Sequence, residues 1–211
     1  MVYRATAKTE ANKARQRQAI IKSARALVAK GGFAAVSIQA VAARADVATG
    51  SVYRHFDSKA ELCAEIFRQA TQREVDVVGE TARQPGPATE RLVAVAHAFC
   101  ERAIKGRIQA YALIAEPVDP AVDAERIKYR EAYGNIFRQL IEDGMSQGVF
   151  PAQDATVGAA ALVGALAETL VGPLAMHLQH NNDFNADEQA HLIHHITRFC
   201  LRAVAGRELP S

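Results

Sequence analysis

Residues 37–62 read SIQAVAARADVATGSVYRHFDSKAEL, and the fold turns on this stretch. Ser37 is a favourable helix N-cap. Ile38, Val41, Ala42 and Ala45 then recur at helical spacing. A four-residue connection, Ala45-Asp46-Val47-Ala48, leads into a short helix from Thr49 to about His55. Asp57-Ser58 caps a longer helix that runs past Phe67. Two short helices joined by a tight turn can seat the second one in a DNA major groove. Its outer face must be small or polar, which Thr49, Gly50 and Ser51 satisfy, and its inner face apolar, which Val47, Val52 and Phe56 satisfy. Arg44, Tyr53, His55 and Lys59 are spaced to touch phosphates beside the reading residues. The competing reading is a helical hairpin in which Tyr53 and Phe56 are simply core; Phe56 reads as packing in either case.

Upstream, Ile20, Ile21, Ala24, Leu27 and Val28 form one apolar helix face, ended by Gly31-Gly32. Downstream, Gln84-Pro85-Gly86-Pro87 is a break. Helices are expected at about 88–105 and 107–115. Pro120 suits the first turn of a helix to about Gln147, and Gly148 and Pro151 end it. Asp154 opens a long helix to about Leu178. Asn185 with Glu188 has the pattern of a capping box for a last helix that ends before Gly206. Alternating β-branched runs are missing, so the chain reads as all-α. It divides into a helix-turn-helix domain over 1–57 and a helical domain over 58–211.

The charge is uneven. Residues 1–68 hold 12 Lys/Arg against 5 Asp/Glu, whereas the remainder holds 13 against 18. The basic third is either a polyanion-binding surface or a solvated basic tail. With 49% hydrophobic residues the chain can build a core. No apolar run is expected to reach the roughly 18 residues that span a bilayer, and the N-terminus lacks the apolar segment of a signal peptide. The three scattered cysteines, Cys63, Cys100 and Cys200, fit neither a disulfide scaffold nor a Cys-x-x-Cys metal site, and a reducing cytoplasm is expected.

The run Ala45-Asp46-Val47-Ala48-Thr49-Gly50-Ser51-Val52-Tyr53-Arg54-His55-Phe56-Asp57-Ser58-Lys59 resembles the signature of the tetracycline-repressor (TetR) family. The resemblance implies a homodimer, an N-terminal three-helix DNA-binding domain and a C-terminal helical domain that binds an effector. It implies that Tyr53, His55 and Lys59 contact the phosphate backbone. The sequence departs from the family pattern at Asp46, usually Gly, and at Ala48, usually Ser or Thr. Asp tolerates the left-handed conformation. Ala48 cannot cap, so Thr49 is expected to cap one position later. Base reading falls to Ser51, Arg54 and Gln39, with Thr49 held open; Arg54 can serve a guanine or a phosphate equally well.

In the second domain Leu162, Leu166, Leu170, Leu174 and Leu178 recur every four residues beside small residues such as Gly164. This surface is expected at the dimer contact, which the resemblance assigns to the last two helices; intrachain core is the alternative. Pro173 should kink its helix. Phe99, Tyr111, Tyr133 and Phe137 are candidates for a ligand pocket. Glu168, set among apolar residues, would anchor an effector or pair with an arginine across an interface. His191 and His195 have a spacing that can bind a metal, but nothing completes a ligand set, and no metal or cofactor is expected.

These readings converge on a homodimeric repressor that binds a palindromic duplex and is released by a small, largely apolar effector. An enzyme would need paired carboxylates, a nucleophile elbow, a phosphate loop or a metal tetrad, and none is found. A nonspecific DNA-packaging protein sits poorly with the large acidic C-terminal part.

Overall fold

The computed structural model describes residues 7–180 and 182–206. Within them the regular elements are nine α-helices and one 3-10 turn: α1 (Ala7–Gly31), the turn (Phe33–Ala35), α2 (Ile38–Ala45), α3 (Thr49–Tyr53), α4 (Lys59–Ala82), α5 (Ala88–Lys105), α6 (Arg107–Ile114), α7 (Pro120–Ser146), α8 (Ala155–Gln179) and α9 (Ala186–Ala205).

Short-range chemistry sets the boundaries. Gly32 leaves α1 at φ 70°, a left-handed value that favours glycine. The Ser37 hydroxyl accepts from Ala40 N at 3.1 Å and opens α2. Asp46 ends that helix at φ 54°, ψ 50°, so aspartate supports the left-handed turn as expected. Ser58 accepts from Glu61 N at 3.1 Å to open α4. The Asp154 carboxylate accepts from Thr156 N and Val157 N at 2.8 and 3.0 Å to open α8. Asn185 and Glu188 form the reciprocal capping box on α9, both bonds at 2.9 Å.

Two cores result. In the first, Ile20, Ile21, Val28, Val41, Val52 and Phe56 of α1–α3 meet Leu62, Ile66 and Phe67 of α4, with Ala112 of α6 and Val122 of α7 closing one side. Residues of α4 past position 57 therefore complete the first core. The second gathers Leu92, Val95 and Cys100 of α5, Phe137, Leu140 and Ile141 of α7, four leucines of α8, and Ile193, Ile196 and Cys200 of α9. All three cysteines are buried. Burial raises the Cys63 and Cys200 thiols to about 11 and the Cys100 thiol to about 12.

Helix α8 corrects two expectations. Leu162, Leu166, Leu170 and Leu174 are at most 1% exposed within the single chain, so this ladder lies in the chain's own core and cannot touch a partner. The four-residue step marked a buried face but not whose core buried it. Gly164, on another face, is exposed, and a Cβ there would meet nothing within 4 Å. Exposed Val157 and Met176 share α8 with it. Averaged over a window, Ala155–Gln179 is also long and apolar enough to cross a membrane, with mean hydropathy 1.7. Small residues on its exposed faces, added to the leucines, produce that value.

Candidate nucleic-acid interface and internal cavity

The second helix of the motif, α3, has only five residues. Val52 is fully buried and anchors it to the first core. Thr49 and Gly50 are exposed, as are Tyr53 and Arg54. A Cβ on Gly50 would meet nothing in the chain, so internal packing does not require glycine there, although glycine costs a helix about 1 kcal/mol against alanine. What the missing side chain leaves is room for close approach from outside. Gln39 and Arg44 of α2 and Lys59 of α4 are exposed. The half-buried His55 lies with Nε2 2.9 Å from Oε1 of Gln16 on α1. Burial, then the charges of Lys13, Arg17 and Arg54, push the His55 pKa below 6.5.

Two details differ from the sequence reading. Ser51 is only 7% exposed. In a helix this short, two residues' rotation from Thr49 turns it inward, away from any groove. Thr49 is the first helical residue, and Ala48 precedes it without any side-chain cap. The threonine hydroxyl therefore does not replace the missing cap, and Thr49 returns to the outer face.

A cavity of about 520 Å³ opens between α4, α5, α6, α7 and α8. Phe99, Tyr133, Phe137, Val163 and Leu166 supply much of its apolar wall, with Phe99 and Tyr133 edge to face at 5.7 Å. Burial first, then the Glu74 charge, raise the Tyr133 pKa, keeping it a neutral phenol. Five cations line the cavity, Arg102, Lys105, Arg107, Arg126 and Arg130, against one carboxylate, Glu74. Arg102 donates to Glu74 through Nε at 2.6 Å and Nη2 at 3.0 Å. Arg107 pairs with Asp183, while Lys105 and Arg130 hold no ion pair among the described residues.

The cavity wall is wired to the first core. Arg126 donates from Nε to Leu113 O at 3.0 Å and from Nη2 to Glu116 O at 2.9 Å, fastening the end of α6. Glu116 in turn accepts from Phe33 N and Ala34 N at the start of the 3-10 turn.

Two family models match the chain. Residues 20–66 match the bacterial regulatory proteins of the tetR family, and residues 85–170 match the tetracyclin repressor-like C-terminal domain. The chain belongs to the TetR family. Among its relatives is the HTH-type transcriptional repressor KstR of Rhodococcus jostii (strain RHA1), 43% identical over 58 residues, which cover 28% of this chain and 27% of KstR. The match thus spans about a quarter of that relative. KstR2 of the same strain is 29% identical over 148 residues, 65% of this chain and 69% of KstR2. The TetR fold is shared with the transcriptional regulator FadR from Bacillus subtilis, solved in complex with stearoyl-CoA, at TM-score 0.72 and 16% identity, covering 89% of this chain and 98% of FadR.

Set in this TetR frame, the sequence-derived pocket set divides. Phe99, Tyr133 and Phe137 line the cavity; Tyr111 and Glu168 do not. Tyr111 packs against the second core from outside. Glu168 is exposed on α8, so it neither suffers burial nor faces the cavity. His191, His194 and His195 are exposed on α9, and no group of three candidate metal ligands forms among the described residues. Sequence reasoning missed Glu116, Arg126 and the Arg102–Glu74 pair. Their partners lie 83, 10 to 14 and 28 residues away, and no motif marks them.

Proposed function

We propose that this TetR-family chain is a sequence-specific transcriptional repressor that binds operator DNA as a homodimer in the cytoplasm and is released by a small effector. The observation that carries this reading is the joining of two sites. A cationic helix-turn-helix with an open outer face sits on a core that Glu116 ties to the wall of an internal cavity. In a two-fold dimer the two α3 helices would meet successive major grooves, about 34 Å apart. The exposed small-residue face of α8 around Gly164 supports close helix pairing between copies. An effector that prefers the spacing unable to fit DNA draws the population off the operator.

The lining favours an amphipathic effector. Apolar walls take the body, and a surplus of cations in an otherwise acidic domain takes an anionic end. FadR's complex with stearoyl-CoA supports testing that class first. The experiment is binding-site selection from random duplexes, followed by anisotropy titration of the selected duplex with and without stearoyl-CoA, sodium stearate and stearyl alcohol. A single palindromic consensus, and release by the anionic ligands in preference to the alcohol, are expected. Failure to enrich any consensus overturns the repressor; release by the alcohol alone overturns the anionic end.

A further inference from the structure

Helix α1 begins about three turns before it has a core to pack on. From Ala7 to Ala19 the chain has no large apolar residue, and the first buried position is Ile20. Residues 8–15 are all exposed. At 1.5 Å per residue the overhang from Lys8 to Ala19 is roughly 18 Å long. It carries Lys8, Lys13, Arg15 and Arg17 against one acid, Glu10. A helix polar on all sides gains nothing from burial, and propensity alone holds a short helix only marginally. The core therefore does not account for these turns.

Their position does. Gln16, at the root of the overhang, meets His55 just past α3. Lys13 and Arg17 are near enough to His55 to act on its protonation together with Arg54. The positive surface of α1 is thus continuous with that of the candidate interface. Arg17 is partly engaged, 3.6 Å from Glu65 and over the Phe56 ring at 5.0 Å. Arg15 donates to its neighbour Asn12, at 3.4 Å, and among the described residues Arg15, Lys8 and Lys13 hold no ion pair. B-DNA carries a charge about every 1.7 Å of its axis, so an overhang of this length can run beside several phosphates.

We infer that the overhanging turns of α1, through Lys8, Lys13 and Arg15, bind the DNA backbone flanking the half-site occupied by α3. This rests on the DNA-binding reading above and extends it to a surface outside the helix-turn-helix. Such contacts carry no base information; they add affinity, salt dependence and footprint length.

The test replaces all three residues, Lys8→Gln, Lys13→Gln and Arg15→Gln, in the full chain. The duplex is one that the wild-type protein selects from random DNA. Two quantities are read: the slope of log Kobs against log salt, and the hydroxyl-radical footprint. A loss of one phosphate contact per subunit lowers the slope by about 1.8 in a dimer, at roughly 0.9 per contact, and more if several are lost. The outermost protected backbone positions should open while the consensus and the melting temperature stay unchanged. A variant with wild-type slope and wild-type footprint overturns the inference. Wild-type protein that selects no duplex overturns the DNA-binding reading itself, which separates the two failures.

Discussion

The carboxylate of Glu116, just past α6, accepts two backbone hydrogen bonds from the first core, Phe33 N to Oε2 and Ala34 N to Oε1, each 2.8 Å. Both donors belong to the first turn of a 3-10 helix and have no partner within it. One side chain thus joins the segment that walls the cavity to the turn between α1 and α2.

Glu116→Ala leaves those N–H groups without their acceptor and should destabilise the chain by about 1–3 kcal/mol. It should also shrink the factor by which an effector changes DNA affinity, a coupling free energy. Effector affinity and DNA affinity, each alone and together, give that factor. If stability falls but the factor holds, the pair is a structural tie only.

Three residues on or just past α3 should differ in consequence. Ser51 is buried, so Ser51→Ala should leave the selected consensus unchanged. Thr49 and Arg54 are exposed. Arg54→Ala should cost about 1–3 kcal/mol on the preferred duplex and relax one position per half-site if it reads guanine. Random-site selection with each variant checks this. A consensus shifted by Ser51→Ala, or unmoved by both Arg54→Ala and Thr49→Ala, would place base reading elsewhere.

His55 ties pH to binding. Its folded pKa lies below 6.5, so the unfolded chain binds the proton more readily. The stability from the neutral ring is present above about pH 6.5 and is lost as pH falls toward the folded pKa. A phosphate beside the ring has the opposite effect and favours the imidazolium. DNA binding should therefore take up a proton, and affinity should rise as pH drops from 7.5 to 6. His55→Gln should flatten that dependence in an anisotropy series; an equally steep series would remove His55 from the contact.

Two residues on opposite faces of α8 separate folding from assembly. Leu166→Ala removes a core side chain and should cost about 2–5 kcal/mol. A Cβ on Gly164 meets nothing within 4 Å, so Gly164→Arg should still fold, while sedimentation reports a monomer. A dimeric Gly164→Arg protein would locate the subunit contact away from this face.

Local chemistry made the fold legible. Ser37, Ser58, Asp154 and the Asn185–Glu188 pair announce helix starts, and each bond closes within three residues. The helix-turn-helix was legible for the same reason. Periodicity carries less: it identified the leucine face of α8 as buried without telling own core from partner. In α3 only a 100° step per residue separates exposed Gly50 from buried Ser51, and composition cannot fix that phase. The cavity was half legible, because Phe99, Tyr133 and Phe137 are core-type residues wherever they fall. Its polar wiring was not: Glu116 and Phe33 meet across 83 residues.

The three buried thiols make the two cores separately audible. A thiol with its pKa raised to about 11 or 12 holds almost no thiolate at neutral pH, and only the thiolate attacks an alkylating reagent. Each cysteine is therefore silent until its surroundings open. Cys63 lies in the first core and Cys100 and Cys200 in the second. The order in which they become labelled is a natural clock, telling which half of the molecule breathes first, without any engineered probe.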